Sequence, residues 1–138
     1  MTYYISLGAN IGDREQTLLE AVRLIKQQVG QVLRCSDFYY SEPWGFTSDH
    51  PFCNLCCCVQ SDETPVEVLH RTQAIERALG RTHKSVNGQY ADRVIDIDLI
   101  QVYDGEREIT MHTSELTLPH PLWQEREFVT VPLAQIKP

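Results

Sequence analysis

Apolar positions along the chain repeat with two different periods, and the changes of period mark the elements. TYYISLG, rich in aromatic and β-branched residues, predicts a first strand. ANIGD then turns the chain into a helix near Asp13. Leu18, Val22, Ile25 and Val29 keep an i, i+4, i+7 stripe there, and Gly30 is placed to end it. Residues 31–41 read as a strand with a weaker pattern, EPWGFTSDHP as a loop, and residues 52–60 as a further strand. Thr64-Pro65-Val66-Glu67 is a capping box with proline at the first helical position. It predicts a helix whose buried face is Val68, Leu69, Thr72, Ile75 and Leu79, ending at Gly80.

The second half is less regular. RTHKSVNGQYADR (81–93) is polar, lacks a period and reads as a loop, and residues 94–103 read as a strand. The Asp104-Gly105 pair predicts a hairpin turn into residues 106–111. LPHPLWQEREF reads as a short Pro-bounded helix and VTVPLAQI as a last extended segment. The order β-α-β-β-α-β-β predicts an α+β sandwich, with two helices packed on a mostly antiparallel sheet.

With 138 residues the chain suits one domain, 1–138, and is short for two. A net charge of -7 argues against nucleic acid as partner, since phosphate backbones select basic surfaces. No apolar run reaches the length of a membrane span, and MTYYISLGAN has neither a basic n-region nor a cleavage site, so the expected location is cytoplasmic. Five cysteines include Cys53, Cys56, Cys57 and Cys58 in one predicted strand. Neighbours on a strand point to opposite faces, so Cys57 cannot join Cys56 and Cys58 at one metal. The expectation is small buried hydrophobes.

RVIDIDLI carries the candidate chemistry. Strand alternation places Ile95, Ile97 and Leu99 on one face and Val94, Asp96, Asp98, Ile100 and Val102 on the other. Two readings stand for the aspartates. They either mark a solvated face or, roughly 6.6 Å apart at Cα, grip a cation. Aspartate is depleted in strands and the rest of that face is aliphatic, which weakens the first reading. Oxygen-only donors favour Mg²⁺, completed by water and substrate phosphates. Arg81, His83, Lys84 and Arg93 lie just before the pair, either as a solvated loop or as phosphate ligands. Together they suggest Mg²⁺ with a nucleoside triphosphate, although no Walker glycine pattern is present. Trp44, Phe46, Phe52 and Phe128 with Asn54 are either core residues or a stacking site for a flat heterocycle. His120, between two prolines, either donates to a phosphate or caps a turn.

Taken together, YISLGANIGD, SDFYYSEPWGF, PFCN, QAIERALGRTHK, DRVIDIDLI and LPHPLWQEREF resemble, in order and spacing, the motifs of the 6-hydroxymethyl-7,8-dihydropterin pyrophosphokinases of folate biosynthesis. The resemblance implies a ferredoxin-like sandwich and a monomeric enzyme that moves the β,γ-diphosphate of ATP to the pterin hydroxymethyl group and releases AMP. It implies Asp96 and Asp98 as ligands of two Mg²⁺ ions, and Phe52 and Phe128 as the rings that sandwich the pterin. Asn54 would read the pterin amide edge, with Ser41 and Trp44 helping. Gln73, Glu76, Lys84, His120 and Arg126 fall on ATP-binding positions, and Arg81 and Arg93 on positions that act during transfer. The chain departs from that pattern at GQYADR, where relatives often read Trp-Gly-Pro-Arg, with Tyr90 in place of the tryptophan. Two other readings remain at this level: a different Mg-ATP-dependent small-molecule kinase that forms ADP, and a non-catalytic ferredoxin-like ligand-binding module.

Overall fold

The computed structural model describes residues 1–41, 51–80 and 94–138. The strands are β1 (Thr2–Ala9), β2 (Gln31–Cys35), β3 (Tyr39–Ser41), β4 (Phe52–Gln60), β5 (Asp96–Asp104), β6 (Arg107–Glu108), β7 (Met111–His112) and β8 (Thr117–Leu118). The helices are α1 (Arg14–Gln28), α2 (Pro65–Ala78) and α3 (Glu127–Ile136). An antiparallel sheet runs β2-β4-β1-β5-β6 with β3 also on β4, and β7 pairs with β8 separately. Helix α1 links β1 to β2 across β4, and α2 links β4 to β5 across β1, which gives the interleaved topology expected of a ferredoxin-like sandwich.

Local chemistry sets the helix boundaries. The Asp13 carboxylate accepts from the Gln16 amide at 3.3 Å to start α1. At α2 the capping box forms as its sequence predicts, with Thr64 and Glu67 each satisfying the other's backbone amide. Gly30 follows α1 where the backbone passes β4 so closely that any Cβ would collide with the Gln60 carbonyl.

Two clusters cover the two faces of the sheet. Leu18, Val22 and Ile25 of α1 and Val68 and Ile75 of α2 pack on Ile5, Leu7, Leu55, Cys57 and Val59. On the opposite face Val129, Leu133 and Ile136 of α3 pack on Tyr4, Cys56, Cys58 and Ile100. Strand β4 is therefore buried on both sides, which explains why FCNLCCCVQ lacks a polar alternation. Cys53, Cys56, Cys57 and Cys58 are buried thiols packed as small hydrophobes, as expected.

Several local expectations are corrected. VTVPLAQI is not extended: it lies in α3, and the predicted short helix before it shrinks to a single 3-10 turn at Trp123–Glu125. Val129, Leu133 and Ile136 recur at helical spacing. Burying them on the second face outweighs the strand propensity of Val-Thr-Val and the amide that Pro132 gives up inside the helix. Residues 31–41 form two strands, because Ser36 interrupts the ladder. Its amide donates to the Cys56 carbonyl at 2.8 Å, and its hydroxyl accepts from the Cys56 amide at 2.9 Å. Residues 106–111 likewise divide into β6 and β7 after the Gly105 turn, where φ is +63°. Finally, Tyr4 faces Gln101 and Ile5 faces Leu99, so Ile100 is an extra bulged residue. The bulge re-phases β5 and sends Val102 to the α1/α2 side, not to the face of Asp96 and Asp98.

Helix and strand readings of the C-terminal segment separate cleanly by mutation. A strand would put residues 129, 131 and 133 on one face, whereas in α3 Val131 is 42% exposed and Leu133 is 1% exposed. Leu133→Ala should cost about 2–5 kcal/mol in urea unfolding. Val131→Thr should stay within about 0.5 kcal/mol. Equal losses at both positions would contradict the helix.

Candidate active site

Helix α3 covers only part of the second face. Its C-terminal end reaches β2, where Arg34 Nε donates to the Ile136 carbonyl at 2.8 Å. Its first turn meets β4 at Cys56, whose thiol donates to the Val129 carbonyl at 3.8 Å. Past that turn the strands continue. Tyr39, Asn54, Gly8 and Asp96 form one rung there across β3, β4, β1 and β5, and Cys56, Ser6 and Asp98, two residues back on the same face, form the rung that the turn meets. With neighbouring strands about 4.8 Å apart, Asn54 and Asp96 sit roughly 10 Å from each other at Cα.

On the β4 side of this rung the groups are closely fixed. The Asn54 amide nitrogen donates to the Tyr39 carbonyl at 3.1 Å and to Ser41 Oγ at 2.9 Å, and the side chain is 2% exposed. Its carboxamide oxygen lies over Gly8, where a Cβ would come within 2.9 Å of Asn54 Oδ1 and 3.5 Å of Phe52 Cδ1. Glycine suits this close approach, because a Cβ would press on the Asn54 carboxamide while only touching Phe52 at ordinary contact distance.

On the β5 side the two aspartates are half-buried on the same face. Between them the Ile97 amide donates to Glu76 Oε2 at 2.7 Å, so a buried carboxylate from α2 holds the strand where the aspartates project. Among the described residues no group of three or more His, Cys, Asp or Glu side chains converges as a metal cage. A pair of strand carboxylates fits Mg²⁺ of the kind that takes one or two protein oxygens and fills its shell with water and phosphate.

The third wall comes from the segment before α3. His120 donates its amide to the Ile100 carbonyl at 2.8 Å, and its Nδ1 accepts from the Leu122 amide at 3.4 Å. Turn capping is thus one of its roles, and a neutral ring bonded this way carries its proton on Nε2. Burial and the Arg126 guanidinium hold the imidazole below its ordinary pKa, with Asp96 pulling the other way. Arg126 is 6% exposed, and its guanidinium lies 5.8 Å from the centroid of the half-buried Phe128 ring. Tyr39 reaches across to Glu127 at 3.4 Å and so ties the β3 side of the rung to the start of α3.

Residues 4–138 match the family described as 7,8-dihydro-6-hydroxymethylpterin-pyrophosphokinase. The chain belongs to this family. It is 47% identical over 137 residues to the 2-amino-4-hydroxy-6-hydroxymethyldihydropteridine pyrophosphokinase of Porphyromonas gingivalis, covering 98% of this chain and 90% of that protein. It is 37% identical over 134 residues to the protein of the same name from Bacillus subtilis, covering 96% of this chain and 76% of that one. Among solved structures it resembles one titled as HPPK-DHPS in complex with substrates, with a TM-score of 0.69 at 14% identity. That match covers 98% of this chain and 40% of the other, and it shows the fold alone.

Against the pyrophosphokinase motifs, the fold brings Ser41, Phe52, Asn54, Asp96, Asp98, His120, Arg126 and Phe128 to one end of the second face. Gln73 is exposed on α2, one turn before Glu76. Trp44, Arg81, Lys84 and Arg93 lie outside the described residues. Three contributors escaped sequence reasoning: Gly8, Tyr39 and Arg14. Arg14 donates to the Pro51 carbonyl at 2.7 Å and stacks 5.5 Å from the Tyr40 ring, bracing the residues that flank Ser41 and Phe52. No motif signals Arg14, because it looks like any first-turn helix residue. Gly8 had a signal, a glycine ending an apolar strand.

Glu76→Ala should leave the Ile97 amide buried and unpartnered and lower stability by about 1–3 kcal/mol. Chemical denaturation of the parent and variant chains measures this. An unchanged midpoint and slope would show that the carboxylate does not hold β5.

Proposed function

We propose that this chain transfers the β,γ-diphosphate of ATP to the hydroxymethyl oxygen of 6-hydroxymethyl-7,8-dihydropterin and releases AMP. The observation that carries the reading is the pair of same-face rungs at the start of α3. They set Asn54 on one side and Asp96 and Asp98 on the other, with Phe52 two residues before Asn54 and opposite Ser41, in a chain of the pyrophosphokinase family. Family membership makes it a diphosphotransferase that uses ATP. The assignment of roles to residues, the use of two Mg²⁺ ions, a single domain, the monomeric state and a cytoplasmic location are parts of the proposal.

Each role follows from chemistry. Phe52 and Phe128 offer ring faces to the flat bicycle, and the Asn54 carboxamide, held by Tyr39 and Ser41, meets its amide edge. Ser41 and Trp44 complete that end. Asp96 and Asp98 present the oxygens that hold Mg²⁺, which when bound neutralises the transferred group and the AMP leaving oxygen. Glu76 keeps the two carboxylates at fixed height by fixing Ile97. Arg126 supplies a permanent positive charge, and the Nε2 proton of a neutral His120 supplies a hydrogen-bond donor for phosphate oxygens. Gln73 and Lys84 belong to the ATP side. Arg81 and Arg93 are assigned to charge stabilisation during transfer.

Incubation with ATP, Mg²⁺ and the reduced pterin should yield AMP in step with diphosphorylated pterin, and EDTA should stop it. ADP as product would assign a monophosphoryl kinase instead. ATP binding with no turnover would leave a binding module.

Two substitutions divide the site. Asp98→Asn keeps size and polarity while removing a charge, so it should fold normally and lose nearly all AMP formation together with the Mg²⁺-dependent part of ATP affinity. A folded Asp98→Asn chain with parental turnover would remove the carboxylate pair from the chemistry. Gly8→Ala should displace the Asn54 carboxamide and raise the pterin KM by about tenfold, from about 1.4 kcal/mol of lost contact, while the ATP KM stays near the parent value. A rise in both constants alike would argue that Gly8 serves the fold and not the pterin end.

A further inference from the structure

Cys35 and Cys57 face each other across β2 and β4. The next rung is bonded from the Ser36 amide to the Cys56 carbonyl at 2.8 Å. In an antiparallel ladder this makes Cys35–Cys57 a non-hydrogen-bonded pair, the kind whose Cα atoms approach to about 4.5 Å with side chains on the same face. That separation lies within the range that a disulfide spans, so bridging needs no change of register. Among the described strand cysteines no other thiol has a thiol opposite: Cys53 faces Ala9 and Tyr40, Cys56 faces Ser6, and Cys58 faces Tyr4 and Arg34. The two members differ in access. Cys35 is exposed at the sheet edge, whereas Cys57 is fully buried on the α1/α2 side.

We propose that Cys35 and Cys57 form a reversible dithiol–disulfide pair that reacts with low-molecular-weight disulfides, Cys35 attacking and Cys57 resolving. In the first step the Cys35 thiolate attacks one sulfur of the small disulfide, forms a mixed disulfide and releases one small thiolate. In the second step the Cys57 sulfur attacks Cys35, its proton passes to the departing small thiolate, and the Cys35–Cys57 bond replaces the mixed disulfide. Two protein thiols are oxidised, and one small disulfide is reduced to two thiols. The electrostatics fit the order of events. A hydrogen bond from the Cys57 thiol, aided by Lys26 and opposed by burial, brings the Cys35 pKa down to about 7. The same bond, together with burial, pushes the Cys57 thiol up. The exposed sulfur is therefore substantially ionised near neutral pH, and the thiolate is the nucleophilic form. Oxidation would tie the edge strand β2 covalently to β4.

The test treats the whole chain with oxidised glutathione near neutral pH, traps remaining thiols in acid and maps the peptides by mass. The expected product has lost two hydrogens and carries no adduct. In denaturant its free thiols fall from five to three, a Cys35–Cys57 linked peptide appears, and dithiothreitol reverses the change. Cys35→Ser should abolish the reaction. A folded Cys57→Ala chain, checked by circular dichroism, should stop at a stable adduct on Cys35, and the pH midpoint of Cys35 alkylation should move above about 7. Three results on the parent chain alone would each overturn the proposal: a stable adduct on Cys35, a Cys35-linked dimer, or an unchanged thiol count.

Discussion

Burial of β1 and β4 on both faces is the constraint from which the remaining structure follows. These central strands carry apolar or small side chains on successive positions, so neither face can be left to water. Helices α1 and α2 close one side, and the other side requires a third apolar element. Each fully buried aliphatic side chain there is worth about 1.5–3 kcal/mol. Three such residues on α3 exceed the strand preference of Val-Thr-Val, which spans only about 1 kcal/mol per position. The sheet's need for a cover thus makes a helix of a segment whose own preference is extended.

The candidate site lies where that cover stops. Helix α3 meets Cys56, Cys58, Tyr4 and Ile100, and the strands run on past its first turn. Cys56 shares its rung with Ser6 and Asp98, and the next rung on that face carries Asn54, Gly8 and Asp96. Positioning of these groups is indirect. Tyr39 and Ser41 hold Asn54, Glu76 holds the backbone between the aspartates, and Tyr39 with Glu127 links the rung to the helix start. Such bonds to fixed backbone and side-chain groups hold the candidate site residues in place.

The aspartates illustrate a local cost accepted for the site. Two like charges on adjacent same-face positions repel, and partial burial strengthens that repulsion. Ile100 on the same face shows that an aliphatic residue is accommodated two positions on. The β-bulge at Ile100 marks the boundary between the charged end of β5 and its apolar remainder. The cysteines of β4 obey the opposite logic. They are packed as small hydrophobes, and burial pushes the thiols of Cys53, Cys56 and Cys58 up.

The sequence by itself determined the features governed by neighbours in the chain. The Thr64–Glu67 capping box, the Asp104-Gly105 turn and the α1 stripe were all legible, because each depends on residues within one or two turns. The family motifs nominate Phe52, Asn54 and Phe128 as candidate site residues, but do not show how they are held. Only tertiary structure decided three things. It made VTVPLAQI helical, because the partner of Val129, Leu133 and Ile136 is a sheet face built from residues far away in sequence. It inserted the Ile100 bulge, whose register is defined against β1 and not within β5. It also recruited Gly8, Arg14 and Glu76 as supports, since a close approach or a bond to a distant backbone amide leaves no periodic trace in the chain. Periodicity reports which way a side chain points, but what it meets there depends on which strands become neighbours.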